Sequence, residues 1–71
     1  MNISTKFIIE FCTQYTTEII AICDSLELVK EYMNCKFQID NIEQNNKKGC
    51  LIYIKLENAE IKVRKLDVVE N

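Results

Sequence analysis

The stretch KFIIEFCTQYTTEIIAICDSLELVKEYMN, residues 6–34, decides the fold of this chain. In its first part, Lys6–Cys12, apolar residues stand at alternate positions, which is typical of a strand with one buried face. The segment Glu18–Asp24 is again rich in β-branched residues, which favour a pleated surface. Because the polar residues 13–17 separate the two segments, the sequence predicts two strands joined by a turn.

One alternative stays open for this stretch. Apolar residues between positions 5 and 33 also recur every three or four residues, as they do along one amphipathic helix. The three threonines within Thr13–Thr17 disfavour a continuous helix, because β-branched side chains lose rotamer freedom there. The apolar residues at helical spacing are Ile8, Phe11, Tyr15, Ile19, Ile22, Leu26, Val29 and Met33.

The second strand leads into a predicted helix, Ser25–Asn34. Asp24 followed three positions later by Glu27 fits a capping box, in which the two side chains satisfy the free amides of the first turn. Asn34 tolerates the left-handed conformation that often ends a helix. The helix is therefore expected to be short and to bury one side.

The second half of the chain alternates almost throughout. Alternation predicts strands at Lys36–Asp40, at Cys50–Leu56 and from Ile61 onward. The polar segment Gln44–Gly49, which ends in the only glycine, predicts a loop. Residues 57–60 predict a turn. Three strands are thus expected after the helix.

These elements predict an α+β fold, an antiparallel β-sheet covered on one face by a single helix, in the order ββαβββ. We expect residues 1–71 to form one small domain. Folding at this length removes only about 60% of the surface that the unfolded chain exposes, so a homo-oligomer is expected to add buried area. The predicted core comprises Phe7, Ile9, Phe11, Ile20, Ile22, Leu26, Val29, Met33, Phe37, Ile39, Ile52, Ile54, Ile61 and Val63.

Charge and hydropathy argue against two kinds of partner. The formal net charge is −2, with both signs spread along the chain, whereas DNA- and RNA-binding proteins usually carry a basic surplus. The longest apolar run, Ile19–Cys23, is far shorter than the roughly 20 residues that a membrane span needs. Met1–Lys6 leads into no long apolar segment of a signal peptide. We therefore expect a cytoplasmic protein without a membrane or nucleic-acid partner.

Residues that carry chemistry are scarce. The chain has no histidine and a single glycine, so it lacks the commonest proton carrier and the glycine-rich phosphate loops. Cys23, just before the helix, is the best candidate nucleophile, but a half-buried strand position explains it and is the favoured interpretation. The sequence predicts no enzyme, no cofactor and no metal site. We expect the four cysteines to be free thiols, because no export signal indicates disulfides and the cysteines are too widely spaced for zinc. They are Cys12, Cys23, Cys35 and Cys50.

The uncovered face of the sheet is the predicted binding surface. If the alternation holds, it brings one tyrosine together with three cations, which suits carboxylates, nucleotide phosphates or stacked bases. The same face would present Ile8, Cys12 and Ile19, which is more apolar than a solvated surface needs and favours a protein partner. Ordinary cross-strand pairing with Glu57 and Glu60 nearby is the alternative. The predicted surface consists of Leu51, Tyr53, Lys55, Lys62 and Arg64.

The segment Lys6–Met33 resembles small uncharacterised domains that are common in bacteriophage and mobile-element genomes. In those domains a strand–turn–strand leads into a helix that is opened by a serine, here Ser25. A small residue follows four positions later and an aromatic residue three positions after that, here Val29 and Tyr32. The resemblance implies a small protein that acts by binding, as an inhibitor of host or defence machinery or as a sponge for signalling nucleotides.

Together these features predict a non-enzymatic, self-associating binding protein of phage or mobile-element type that occupies the surface of a partner protein. The alternative is a sponge that sequesters a signalling nucleotide between Tyr53 and the three cations Lys55, Lys62 and Arg64. A nucleic-acid-associated regulator is a third hypothesis, which the acidic balance of charge disfavours.

Overall fold

The computed structural model describes residues 2–70 and has one helix on an antiparallel sheet. The four strands lie in the order β2-β1-β4-β3, and every neighbouring pair is antiparallel. The predicted α+β fold, with the helix covering one face, is confirmed. Met1 and Asn71 of the predicted domain lie outside the described residues. The elements are β1 Asn2–Cys12, β2 Thr17–Cys23, α1 Leu26–Phe37, β3 Ile52–Lys55 and β4 Glu60–Glu70.

The threonines close the turn between β1 and β2. The Thr13 N–H donates to the Thr16 carbonyl at 2.8 Å, and the Thr13 hydroxyl accepts from the Tyr15 and Thr16 amides at 3.2 and 3.0 Å. Such local bonds from a side chain to the backbone compete with helix formation and favour turns. The predicted hairpin is therefore confirmed, and the long-helix alternative is wrong.

Strand β2 contains a bulge, which changes which of its side chains face the core. The pairing with β1 shifts by one residue after Ile9, which leaves Ile20 as an extra residue in β2. Ile20 and its neighbour Ala21 therefore both pack against the core, and Ile22 lies on the other face, 62% exposed. The prediction that Ile22 belongs to the core is wrong, because a shift of one residue moves a side chain to the opposite face.

The helix begins at Leu26, one residue later than predicted. Its N-cap is Ser25, whose hydroxyl accepts from the Leu28 amide at 3.2 Å. The predicted capping box from Asp24 to Glu27 is therefore wrong. The Asp24 carboxylate instead accepts from the Lys6 ammonium at 2.5 Å. That contact raises the pKa of Lys6 above its ordinary value and links the end of the hairpin to β1.

The helix ends at Phe37, three residues later than predicted. The Phe37 ring stacks on that of Phe11, with ring centres 6.0 Å apart. Gln38 takes the left-handed conformation at φ 55°, and its N–H and that of Ile39 bond back to the last turn. The bond from the Gln38 N–H to the Asn34 carbonyl is that of an αL ending, and the following Ile39 packs against the core. The predicted strand at Lys36–Asp40 is therefore wrong, and two strands rather than three follow the helix.

The loop between α1 and β3 protects the outer edge of the sheet. The Asn45 side-chain amide donates to the Tyr53 carbonyl at 2.9 Å and accepts from the Tyr53 N–H at 3.0 Å. Asn45 thus occupies the place of a further strand beside β3. The loop turns back at Gly49, whose φ of 73° suits a residue without a side chain.

The core lies between α1 and one face of the sheet. Cys23 and Ile42 are buried with the predicted core residues, although the sequence pattern did not assign them there. The remaining predicted core residues, apart from Ile22, pack partly buried around this centre. The fully buried side chains, all of them predicted core residues, are Ile9, Val29, Met33, Ile52, Ile61 and Val63.

Candidate functional site

The face of the sheet opposite α1 is the candidate site, and we call it the open face. Side chains alternate along each strand, so the residues between those of the core point to this side. It carries both exposed isoleucines and charged side chains. Its members are Ile8, Glu10 and Cys12 from β1, Ile19 and Ile22 from β2, Tyr53 and Lys55 from β3, and Glu60, Lys62 and Arg64 from β4.

Four of the five residues predicted as a binding surface lie together on the open face. Tyr53 is paired with Lys62 across β3 and β4. Lys55 is paired with Glu60 two positions further along, and Arg64 continues the row on β4. Leu51 precedes β3 at the edge of the sheet, where it packs against the core and shares a groove with Arg64.

Carboxylates match most of the positive charge on this surface. The Arg64 guanidinium lies 2.7 Å from the Glu10 carboxylate, although its N–H is not aligned for a hydrogen bond to that oxygen. Glu60 lies between two lysines, Lys55 and Lys62, which both lower its pKa. Three cations thus meet two carboxylates, and the open face is of mixed charge rather than strongly positive.

The Tyr53 hydroxyl donates to the Glu60 carboxylate. This hydrogen bond is the main reason why the pKa of Glu60 is lowered and that of Tyr53 raised. The Lys48 ammonium lies over the ring, 6.0 Å from its centre, at the outer limit of a cation–π contact. The Tyr53 side chain is therefore near charges of both signs, Glu60 at its hydroxyl and Lys48 over its ring.

The β2 side of the open face is apolar. Ile8 is paired with Ile22 on β2, and Ile19 is paired with Glu10 one step along. Ile19 is 59% exposed and Ile22 is 62% exposed. Two neighbouring isoleucines with this exposure, beside Ile8, form an apolar strip that borders the paired charges. This combination is typical of protein contact surfaces.

Sequence reasoning missed three residues of this surface. Glu10 lies two positions from both Ile8 and Cys12 and therefore on the same face of β1, so the pattern that exposed those two could have placed it here. Ile22 was missed because the bulge has no signature in the alternation of apolar residues. Lys48 reaches Tyr53 from the loop, and a loop position gives no periodic signal.

The part of the chain that the structure describes shows neither a metal-binding cluster nor an activated cysteine. No three metal-binding side chains are grouped within residues 2–70, and the four cysteines are free. Burial raises the pKa of the Cys23 thiol, and the nearby Asp24 carboxylate raises it further. A raised pKa reduces the thiolate fraction, so this cysteine is not activated as a nucleophile.

None of the helices in residues 2–70 is long and apolar enough to cross a membrane. Comparison of the chain with known protein families, with curated proteins and with solved structures found no match.

Proposed function

We propose that this chain is a non-enzymatic binding protein whose partner protein docks on the open face. The observation that carries the proposal is the exposure of Ile19 and Ile22, 59% and 62%, on a sheet face that α1 leaves uncovered. Contiguous exposed apolar residues rimmed by polar ones mark contact sites in soluble proteins. The expected partner presents an apolar patch flanked by charges of both signs.

The paired carboxylates favour a protein over a nucleotide. A phosphate group approaching Arg64 or Tyr53 would meet Glu10 or Glu60 at the same place, and like charges at short range are unfavourable. The nucleotide sponge remains the alternative predicted from the sequence. Native mass spectrometry of gently purified protein separates the two, because a bound nucleotide adds its mass stoichiometrically and bare protein does not carry it.

The resemblance to phage and mobile-element domains supports a host or defence factor as the partner, which the chain would inhibit or modulate by occupying its surface. A cytoplasmic location belongs to the same proposal. No catalytic step is needed for this action.

Photo-crosslinking tests the proposal. A crosslinking amino acid placed at Ile22 on the open face is compared with one placed at Leu28, an exposed apolar position on α1. We expect adducts with another protein from position 22 only. Adducts from position 28 alone, or equally from both, would contradict docking on the open face.

Substitution of Tyr53 and Arg64 together by alanine should then abolish formation of the adduct while the circular dichroism spectrum is retained. Leu28→Ala serves as the control variant and should leave the adduct from position 22 in place. Retained crosslinking in the double variant would remove the charged side of the open face from the binding surface.

A further inference from the structure

The ends of β1 and β4 form a two-stranded arm. Strands β1 and β4 pair from Asn2 with Glu70 through to Cys12 with Glu60. Strand β2 pairs with β1 only from Phe7 onward, and β3 pairs with β4 only as far as Val63. Residues 2–6 and 66–70 therefore extend beyond the other strands, and we call this pair of segments the arm.

Both faces of the arm carry exposed apolar residues. Ile3 and Val69 are cross-strand partners on the side of the sheet that carries α1, and they are 68% and 57% exposed. Leu66 on the opposite side is 48% exposed. A two-stranded ribbon alone is marginally stable in water and needs packing against another element. No element within residues 2–70 supplies that packing.

The backbone of the arm is also open at both edges. The Leu51 N–H donates to the Val63 carbonyl at 2.9 Å, so the odd-numbered residues of β4 direct their backbone groups away from β1. Beyond Val63 those groups have no neighbouring strand within residues 2–70. The same alternation points the backbone groups of Ile3 and Thr5 away from β4. This differs from the edge of β3, where the Asn45 amide takes the place of a strand.

The chain exposes more surface than a folded monomer of its mass is expected to expose, which is consistent with a contact that buries part of it. It exposes 5152 Å², whereas a folded monomer of 8.4 kDa is expected to expose about 4,600 Å². The excess of about 550 Å² is more than half of the roughly 800 Å² that one partner buries in a standard interface. The radius of gyration of 12.5 Å likewise exceeds the value of about 11 Å expected for this length.

The open edges of the arm match those of a second copy. The outward backbone N–H and C=O groups belong to alternate residues, Ile3 and Thr5 on β1 and Lys65, Asp67 and Val69 on β4. When two arms lie antiparallel about a two-fold axis, an edge of one copy can donate to and accept from the same edge of the other. This match supports a second copy as the partner.

We propose that two copies of this chain associate through antiparallel docking of their arms, with Ile3 and Val69 next to the two-fold axis. The contact uses the arm and leaves the open face free, so it goes beyond the proposed function. A two-fold interface brings the same residue of both copies close together. This property allows a test that separates loss of the contact from loss of the fold.

The test substitutes Ile3 by glutamate in one preparation and by lysine in another. Sedimentation equilibrium should give twice 8.4 kDa for the native chain. Each variant alone should dissociate at least about tenfold more readily, because like charges meet at the axis. Mixing the two variants should restore the doubled mass, which an unfolded variant could not do. The matched control is Ile22→Glu, at an isoleucine of similar exposure on the open face, and it should remain dimeric.

A monomeric native chain would overturn the proposal, and so would a dimer that neither Ile3 variant weakens. A dimer that only Ile22→Glu dissociates would place the contact on the open face instead. Crosslinking to another protein from position 22 is measured separately in the Ile3 variants, so failure of the dimer and failure of the proposed function are distinguishable.

Discussion

The phenol of Tyr53 and the carboxylate of Glu60 form the best-defined polar contact on the open face. Glu60 has its pKa lowered from the ordinary 4.5, so its contribution to stability is present above pH 4.5 and is lost as the pH falls through the lowered value. Tyr53 has its pKa raised from 10.0, so its contribution is present below pH 10.0 and is lost as the pH rises through the raised value. The contact therefore stabilises the fold between those two limits.

We predict that Tyr53→Phe raises the pKa of Glu60, because the hydrogen bond from Tyr53 is the largest cause of the lowered value. The measurement is a titration of the Glu60 side-chain carboxyl by carbon-13 NMR. Tyr15→Phe removes a hydroxyl from the exposed turn between β1 and β2 and should leave the Glu60 titration unchanged. An unchanged titration in Tyr53→Phe would show that the hydroxyl does not donate to Glu60 in solution.

At the scale of single elements, the two ends of the helix are set by different forces. The N-terminus is fixed locally, because the Ser25 hydroxyl satisfies the Leu28 amide. The C-terminus is extended by packing, because the Phe37 ring stacks on Phe11 and the following Ile39 reaches the core. Gln38 is left in a left-handed conformation at φ 55°, which is unfavourable for a residue with a Cβ atom.

Gln38→Gly is therefore predicted to increase the free energy of unfolding by about 0.5–1 kcal/mol, because glycine adopts the left-handed conformation without steric cost. Gln38→Ala is the control, since it removes the same side chain and keeps the Cβ atom; it should not stabilise. Equilibrium unfolding in urea measures both. If glycine and alanine gave the same change, the effect would come from loss of the glutamine side chain and not from the backbone.

The whole molecule combines a covered face, an open face and an arm. α1 buries one side of the sheet in the usual way for a two-layer domain. The open face and the arm expose apolar residues in different places, Ile19 and Ile22 on one and Ile3 and Val69 on the other. The two proposed contacts, with a partner protein and with a second copy, therefore use different surfaces.

If the arms associate, stability depends on protein concentration, because folding and association are then linked. We predict that the midpoint of thermal unfolding rises by roughly 5 °C for each tenfold increase in concentration, from the enthalpy expected for two chains of this length. Ile3→Glu should have a lower midpoint than the native chain at the same concentration, because its dimer dissociates more readily. Scanning calorimetry over a concentration series checks this, and a constant midpoint for the native chain would contradict association.

Local sequence determined the hairpin, the start of the helix to within one residue and the faces of β1, β3 and β4. Each of these depends on neighbours along the chain: threonines that close a turn, a serine that caps a helix, and the alternation of side chains along a strand. For that reason the pattern also placed Tyr53, Lys55, Lys62 and Arg64 on one surface, which the structure brings together.

Only the tertiary structure decided the bulge at Ile20, the extension of the helix to Phe37 and the strand character of Asn2–Thr5. Each of these features depends on a partner that is distant in sequence. The segment Asn2–Thr5, polar except for Ile3, is extended because it pairs with residues 67–70 of β4, and the helix continues because Phe37 meets Phe11. Pairing and packing energies between distant segments outweigh the weak local preferences of such residues, so the pattern of nearby residues could not predict them.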